Sequence, residues 1–468
     1  MSGAGRGVDP RLSLAIAAGK ATAATVRRLG RGGGTTLPGR ISAALDGGTL
    51  SKLSARLPLG SVMVTGTNGK TTTATLVRHL CAGAGIEVAG NRAGANLMSG
   101  LTSAMVRYSG LGGRPAAELG VFEVDEAVLP HAVAATTPRL VVVTNLFRDQ
   151  LDRYGELEAS AAAIRAALSA LPAESEVLLC ADDPTVATLG EGLRASVRYY
   201  GLVDSSLGDD HLPHAADAKF CPRCGEPLVF ERVYVGHLGA YRCPRGHFER
   251  PPLDFAADGV EFDGLRSQRV HLRGDAAGVA IEVPLSGLYN TYNVVAAAAV
   301  AERLGLDRAG VARAAAGFRP AFGRLEEVVV EGRSLRLMLA KNPASFNEVL
   351  RAATTLGAGQ RFLVAVNDRI ADGRDVSWIW DVDFERLNGA EWIVLGGSRA
   401  YDMAVRLKYG GRAMEGVDVA PEPGAALDRC LALAAPGDEV FVLPTYTAML
   451  DLRAELVRRG YTRPYWED

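Results

Sequence analysis

Short apolar runs rich in branched side chains recur along the chain, each followed by a turn and then a stretch with helical spacing. Val62–Val64 predicts a buried strand, Gly66-Thr67-Asn68-Gly69 a tight turn, and Lys70 with the threonines after it the start of an amphipathic helix. Three more strand-like runs follow. Residues 118–127 (ELGVFEVDEA) carry Glu123, Asp125 and Glu126 at and beyond a strand end. Residues 139–158 (RLVVVTNLFRDQLDRYGELE) carry Asn145, Asp149 and Asp152, and residues 176–186 (EVLLCADDPTV) carry Asp182 and Asp183. In open α/β sheets ligands bind beyond the carboxyl ends of strands, so these acids are expected to converge on the Gly-rich turn. Residues 286–305 turn through Asn290 and Asn293 into a helix whose run Ala296–Ala299 predicts tight packing. From about residue 327 the strand–helix–strand pattern restarts, which predicts a second, Rossmann-like unit. The expected fold class is α/β. A basic segment (1–45) precedes a central unit (46–326), interrupted by a Cys-rich insertion (217–252), and a C-terminal unit (327–468) follows.

Composition narrows the function classes. A chain of 468 residues exceeds a single core. No apolar run approaches the roughly 18 residues needed to span a bilayer. With 51 basic and 53 acidic residues the formal charge is −2, which argues against nucleic acid as the main partner. The N-terminus differs: Arg6, Arg11, Lys20, Arg27, Arg28, Arg31 and Arg40 face only Asp9. Residues 11–29 predict a basic amphipathic helix packed on the next unit, with a membrane-surface contact as the sharper reading. The cysteines show no paired layout, and Lys20 interrupts the first apolar stretch, so a cytoplasmic location is expected.

The turn at residues 66–69 is a phosphate-binding loop. Its backbone N–H groups and the following helix N-terminus face an anion, Lys70 adds a point charge, and a hydroxyl holds Mg²⁺. Val64 stands where the commoner spacing has its first glycine. A Mg²⁺ bridging phosphates needs hard oxygen ligands, and Glu123 with the Thr71 hydroxyl are the candidates.

A second signal lies in the insertion. CPRCGEPLVF is a Cys-x-x-Cys knuckle and YRCPRGHFERP resembles another, with zinc-ribbon spacing. Cys221, Cys224 and Cys243 supply three thiolates. Gly246 occupies the fourth position, so His247, or else His237, is expected to complete a structural Zn²⁺ site. The third signal is residues 367–375 (NDRIADGRD), dense in Asp368, Asp372 and Asp375 and followed by Trp378, Trp380 and Asp381. A loop this acidic and aromatic predicts a site or an interface.

The order GTNGKTT, EVDE, TNLFRDQLDRYGE, ADDP, a Cys-rich ribbon, GLYNTYN, FGRLE, KNPASFNE, DGRDVSWIWD and LPTYTAML resembles the MurT family, the Mur-ligase-like subunits of lipid II isoglutaminyl synthase. The shorter TGTNGKT loop is similar to that of Mur ligases and folylpolyglutamate synthetases. The resemblance implies a Mur-ligase-type ATPase unit and ATP-dependent amidation of the D-glutamate α-carboxylate of lipid II through an acyl phosphate. Ammonia would come from a GatD-like glutamine amidotransferase partner, at the inner face of the membrane. It further implies ATP on Gly66, Thr67, Asn68, Gly69, Lys70, Thr71 and Thr72, with Asn290, Arg324 and Asp183 near the nucleotide. An aspartate of the DRIADGRD loop would complete the partner's Cys/His triad, Asp372 matching best and Asp368 and Asp375 remaining alternatives.

Three features fit that resemblance. The stretch before the loop is too short for the domain that holds UDP-linked precursors, which predicts a lipid-linked substrate. No lysine occurs between Lys70 and Lys219, so the carbamylated lysine typical of Mur ligases has no counterpart. Cys81, Cys180 and Cys430 lie in predicted helix or strand interiors, so no glutaminase nucleophile is expected. The alternatives are a free-standing ligase of the folylpolyglutamate synthetase kind, adding glutamate in place of ammonia, and a P-loop ATPase switch binding nucleic acid through its ribbon.

Overall fold

The computed structural model describes residues 9–28, 36–92, 94–148, 157–213, 216–273, 280–319, 324–354, 357 and 359–463, the side chains of 324 and 325 excepted. The first sheet begins with β1 (Ser61–Thr65), β2 (Val88–Ala89), β3 (Leu119–Glu123), β4 (Leu140–Val143), β5 (Glu176–Cys180) and β6 (Ser196–Leu202). After the inserted hairpin of β7 (Val229–Val235) and β8 (Leu238–Arg242), β9 (Phe255–Asp263), β10 (Ser267–Arg273) and β11 (Ala280–Val283) complete it. The strand order is β11-β10-β9-β6-β5-β4-β1-β3-β2, parallel from β2 to β9 and antiparallel at the β10–β11 edge.

Helices cover both faces of this sheet, which is why the central strands read as unbroken apolar runs. Val62, Val64, Val121 and Val142 are fully buried, against Ala74, Leu76 and Val77 of the helix Lys70–Gly83 and Ala296, Ala297 and Val300 of the helix Leu288–Arg303. The alanines lie against the sheet as the sequence predicts. At the N-terminus, the helix Pro10–Arg28 buries Leu12, Ala15, Ile16 and Gly19 and packs on the helices Leu37–Leu45 and Met98–Arg107. Among the described residues no helix is long and apolar enough to cross a membrane.

The second sheet comprises β12 (Arg324–Val330), β13 (Arg333–Met338), β14 (Arg361–Ala365), β15 (Trp392–Gly396), β16 (Val417–Val419) and β17 (Glu439–Pro444), in the order β12-β13-β17-β14-β15-β16. Only the β12–β13 pair is antiparallel. Separate apolar clusters fill its two faces, one around Phe346, Phe362 and Phe384, the other around Leu363, Val394 and Leu452. The inserted hairpin is tied to backbone carbonyls of the central unit: Gly239 N donates to Asp182 O at 2.9 Å and Tyr241 Oη to Ala181 O at 2.9 Å.

Candidate active site

The carboxyl ends of β1, β3 and β4 meet at the phosphate loop. Gly69 caps the helix Lys70–Gly83 at φ 88°, and a Cβ there would lie 2.1 Å from Asn293 Oδ1, so only glycine fits. The loop is stitched to the strand end at 144–145: Asn68 N donates to Asn145 Oδ1 at 2.9 Å, and Thr144 Oγ1 to Asn68 O at 2.8 Å. Thr67 Oγ1 accepts from Phe147 N at 3.0 Å. Such pre-positioning leaves little loop entropy to lose on anion binding.

Thr71 Oγ1 donates to Glu123 Oε2 at 2.8 Å, bringing together the two oxygens expected to hold Mg²⁺. The donor set fits: two hard oxygens side by side at a helix N-terminus, with solvent and phosphate left to fill the other positions. Asn91 fixes Glu123 from behind, accepting from its N–H at 3.0 Å and donating to its carbonyl at 2.8 Å. Lys70, 8 % exposed, folds its ammonium back on Gly66 O and pairs with Glu126 Oε1 at 2.9 Å. Glu126, one of the acids expected to converge on the turn, thus holds the lysine beside the loop, a pairing the sequence did not specify.

The loop opens into a cleft of about 680 Å³, solvent included, between the two α/β units. Asn68, Gly69 and Asn293 form its polar end, and Phe147, Leu238 and Met338 its apolar walls. Across it Asn342 Nδ2 donates to Asn68 Oδ1 at 3.1 Å.

Several expected residues take other positions. Asn293, not Asn290, faces the loop: its Oδ1 accepts from Thr73 Oγ1 at 3.1 Å, while Asn290, 2 % exposed, stands behind it and accepts from Asn293 Nδ2 at 3.1 Å. Asp183 is fully buried and caps the helix Pro184–Thr188, accepting from Thr185 N and Val186 N, and it also takes Leu146 N at 2.8 Å. It therefore serves the fold and does not line the cleft. Asp182 is likewise internal, bound by Tyr292 Oη at 2.6 Å and Arg250 at 3.0 Å, and burial raises its carboxyl against the pull of Arg250. Thr72 is buried, and its hydroxyl finds no partner among the described residues. The Arg324 side chain, Asp149 and Asp152 lie outside the described residues.

In the insertion, the sulfurs of Cys221, Cys224 and Cys243 lie within 4.8 Å of one another, which fits a thiolate set for zinc. Burial raises the Cys243 thiol, but the His247 and Arg245 N–H groups and the neighbouring sulfurs bring it down to about 7. His247 is exposed and outside the cluster, because its backbone closes the knuckle while its side chain points away. His237 is fully buried elsewhere, with Nε2 3.3 Å from Asp183 and its ring 4.4 Å from Phe147. The fourth ligand expected from the sequence is thus not in place.

The DRIADGRD loop places its acids unequally. Asp372 is 4 % exposed and accepts from Thr447 N at 2.8 Å and from Thr447 Oγ1. Burial raises its carboxyl against these bonds. Asp375 is exposed and accepts from Ser377 N at 2.8 Å, while Asp368 is half-buried beside Ser398 and Arg399.

Residues 64–219 match the Mur ligase middle domain, and residues 339–449 match the MurT ligase C-terminal domain. The MurT subunit of lipid II isoglutaminyl synthase from Staphylococcus aureus (strain N315) is 32 % identical over 85 % of this chain and 86 % of its own length. The chain belongs to the MurT family. The MurT subunit of Streptococcus pneumoniae (strain ATCC BAA-255 / R6) is 33 % identical over 97 % of this chain and 98 % of its own. Among solved structures, Thermotoga maritima MurF ligase in complex with ADP shares the fold, with a TM-score of 0.62 at 14 % identity over 90 % of this chain and 85 % of that one. The two family matches cover β2 to β6 of the first sheet and β14 to β17 of the second.

Proposed function

We propose that this chain is the synthase subunit of a lipid II isoglutaminyl synthase, amidating the D-glutamate α-carboxylate of the stem peptide in peptidoglycan synthesis. The observation that carries the reading is the juxtaposition of Thr71, Glu123 and Lys70 at a Mur-type phosphate loop in a MurT-family chain. ATP phosphates lie on the N–H groups of residues 66–72, with the Lys70 ammonium swung from Glu126 to the β/γ oxygens. Thr71 and Glu123 would hold Mg²⁺, which would supply positive charge against the phosphates. The substrate carboxylate attacks the γ-phosphorus and ADP leaves; ammonia then attacks the acyl carbon and phosphate leaves. The role of this chain is positioning and exclusion of water from the acyl phosphate.

Ammonia comes from a GatD-like partner. Burial pushes the Cys81 thiol up to about 11 and the Cys430 thiol up to about 12, so neither offers a thiolate for glutamine hydrolysis. A docking face is available beside the acidic loop: Tyr401, Val405 and Tyr409 recur at i, i+4, i+8 along the helix Ala400–Tyr409, exposed with Ile370 and Trp380. Asp375 or Asp368 is presented there to orient the partner's histidine, while Asp372 holds the loop. The three thiolates hold a structural zinc, and the chain works in the cytoplasm against the inner membrane face. The test is amidation of lipid II by the purified chain with ATP, Mg²⁺ and ammonium. A carboxamide product is expected; in a parallel reaction with glutamate in place of ammonium, addition of a glutamate residue would establish the folylpolyglutamate-synthetase-like alternative.

A further inference from the structure

A second cleft, of about 880 Å³ including its opening, lies between the helices Pro10–Arg28 and Met98–Arg107 and the segment after β2. Lys20, Arg27, Arg92 and Arg107 line it, and its lining contains no carboxylate. Among the described residues none of the four is within ion-pair distance of an Asp or Glu. Arg107 is fixed by donating to Gly90 O at 2.9 Å. Burial, and then the charges of Arg92 and Arg27, hold its guanidinium below the usual range. Four cations sharing a concavity repel one another unless an anion enters.

The fold forces this convergence. A Cβ at Gly19 would stand 2.3 Å from Ser42 Oγ and 3.0 Å from Val106 Cγ1, so the N-terminal helix closes on both neighbours. Lys20 and Arg27, seven residues apart, then share one face over Arg92 and Arg107. The cleft shares a wall with the ligase site, because the Asn91 in its lining is the residue that binds both backbone groups of Glu123. Leu37, Ile41 and Leu45 form an exposed apolar stripe on the helix whose Pro38 lines the cleft, with Arg40 on the same helix. An apolar stripe beside basic residues suits a bilayer surface.

We propose that this cleft binds the diphosphate of the lipid-linked acceptor, with the polyprenyl chain leaving along the Leu37–Ile41–Leu45 stripe and the stem peptide passing Asn91 to the phosphate loop. The assignment rests on the function proposed above and names the anchor of its substrate. Guanidinium groups suit this ligand because each makes forked, charge-assisted bonds to phosphate oxygens.

The test compares the parent chain with the double variant Arg27→Gln/Arg92→Gln. Two acceptors are used, lipid II in detergent micelles and a muramoyl-peptide lacking the diphosphate. The ratio of their kcat/KM values is expected to fall about tenfold in the variant, through KM for lipid II. With ADP filling the nucleotide site, inorganic pyrophosphate is expected to bind the parent by calorimetry and not the variant. Equal losses on both acceptors, or no change in the ratio, would overturn the assignment. So would a loss seen only with lipid II in phosphatidylglycerol vesicles, which would make the cleft a reader of bilayer charge. If the parent amidates neither acceptor, the proposed function fails separately. The pyrophosphate titration then decides the cleft alone, and equal or absent binding in both chains refutes it.

Discussion

The amide nitrogen of Asn342 donates to Asn68 Oδ1 at 3.1 Å, a direct bond from the C-terminal unit to the phosphate loop. Asn342 also accepts from Ser345 N at 2.9 Å at the start of the helix Pro343–Thr354. One residue therefore caps a helix and closes the nucleotide cleft. The two roles separate by substitution. Asn342→Ser keeps a capping oxygen but cannot reach Asn68, and is expected to raise KM for ATP several-fold, about 1 kcal/mol, with Tm nearly unchanged. Asn342→Ala is expected to lose about 1 kcal/mol of stability as well. ATP kinetics and thermal melts on both variants check this; an unchanged KM for ATP in both would show that the bond contributes nothing to nucleotide binding.

Lys70→Ala is expected to lower kcat for amidation by about a thousandfold, because it removes the charge that meets the transferring phosphoryl. The helix should persist, since Lys70 contributes to it only at its first position. Circular dichroism and single-turnover ATP cleavage measure both. Retention of more than a few per cent of activity would remove the lysine from the phosphoryl site.

The phosphate loop was legible in the sequence because its chemistry is backbone chemistry: a strand, a turn needing glycine, and a helix N-terminus leave few alternatives. The Thr71–Glu123 pair followed from the parallel order of β1 and β3. Legibility ended where side-chain direction decides. Asn290 and Asn293 share one motif, yet only the second points at Gly69, a matter of helix phase. Asp183 precedes Pro184, and Asp followed by Pro is a signature of a helix cap; that signal was present and pointed to structure rather than to ATP. The knuckle at Cys243 turns through Gly246 at φ 72°, which aims N–H groups at the sulfur and sends the His247 ring outward. Spacing alone does not carry that distinction.

Zinc is expected at about one per chain by elemental analysis, and Cys224→Ser or Cys243→Ser should release it and lower Tm, since metal binding is part of the folding free energy of such a knuckle. His247→Ala should keep the metal, because the three sulfurs converge without that side chain. Loss of zinc in His247→Ala would mean that the ring swings inward when metal binds. Zinc-free native protein of unchanged stability would mean that packing of Tyr241 and Phe248, whose rings lie 5.7 Å apart, holds the ribbon.

The acidic loop separates by burial, and its substitutions should separate the same way. Asp375→Asn changes an exposed carboxylate that bonds within its own turn, so it should spare folding and ammonia-driven amidation. If it orients the histidine of a glutaminase partner, glutamine-driven turnover should fall by two orders of magnitude or more, roughly the cost of losing the orienting carboxylate of such a triad. Asp372→Asn acts differently. Asn retains one acceptor for Thr447 N but meets the Thr447 hydroxyl with an altered set of donors, in a place from which water is largely excluded. A loss of about 1–3 kcal/mol is expected, with both activities falling together as Tm falls. Parallel assays with glutamine and ammonium, each beside a melting curve, distinguish these outcomes. A selective loss of glutamine turnover in a fully stable Asp372→Asn would return the triad role to the buried residue, and the same loss in Asp368→Asn alone would assign it to the third.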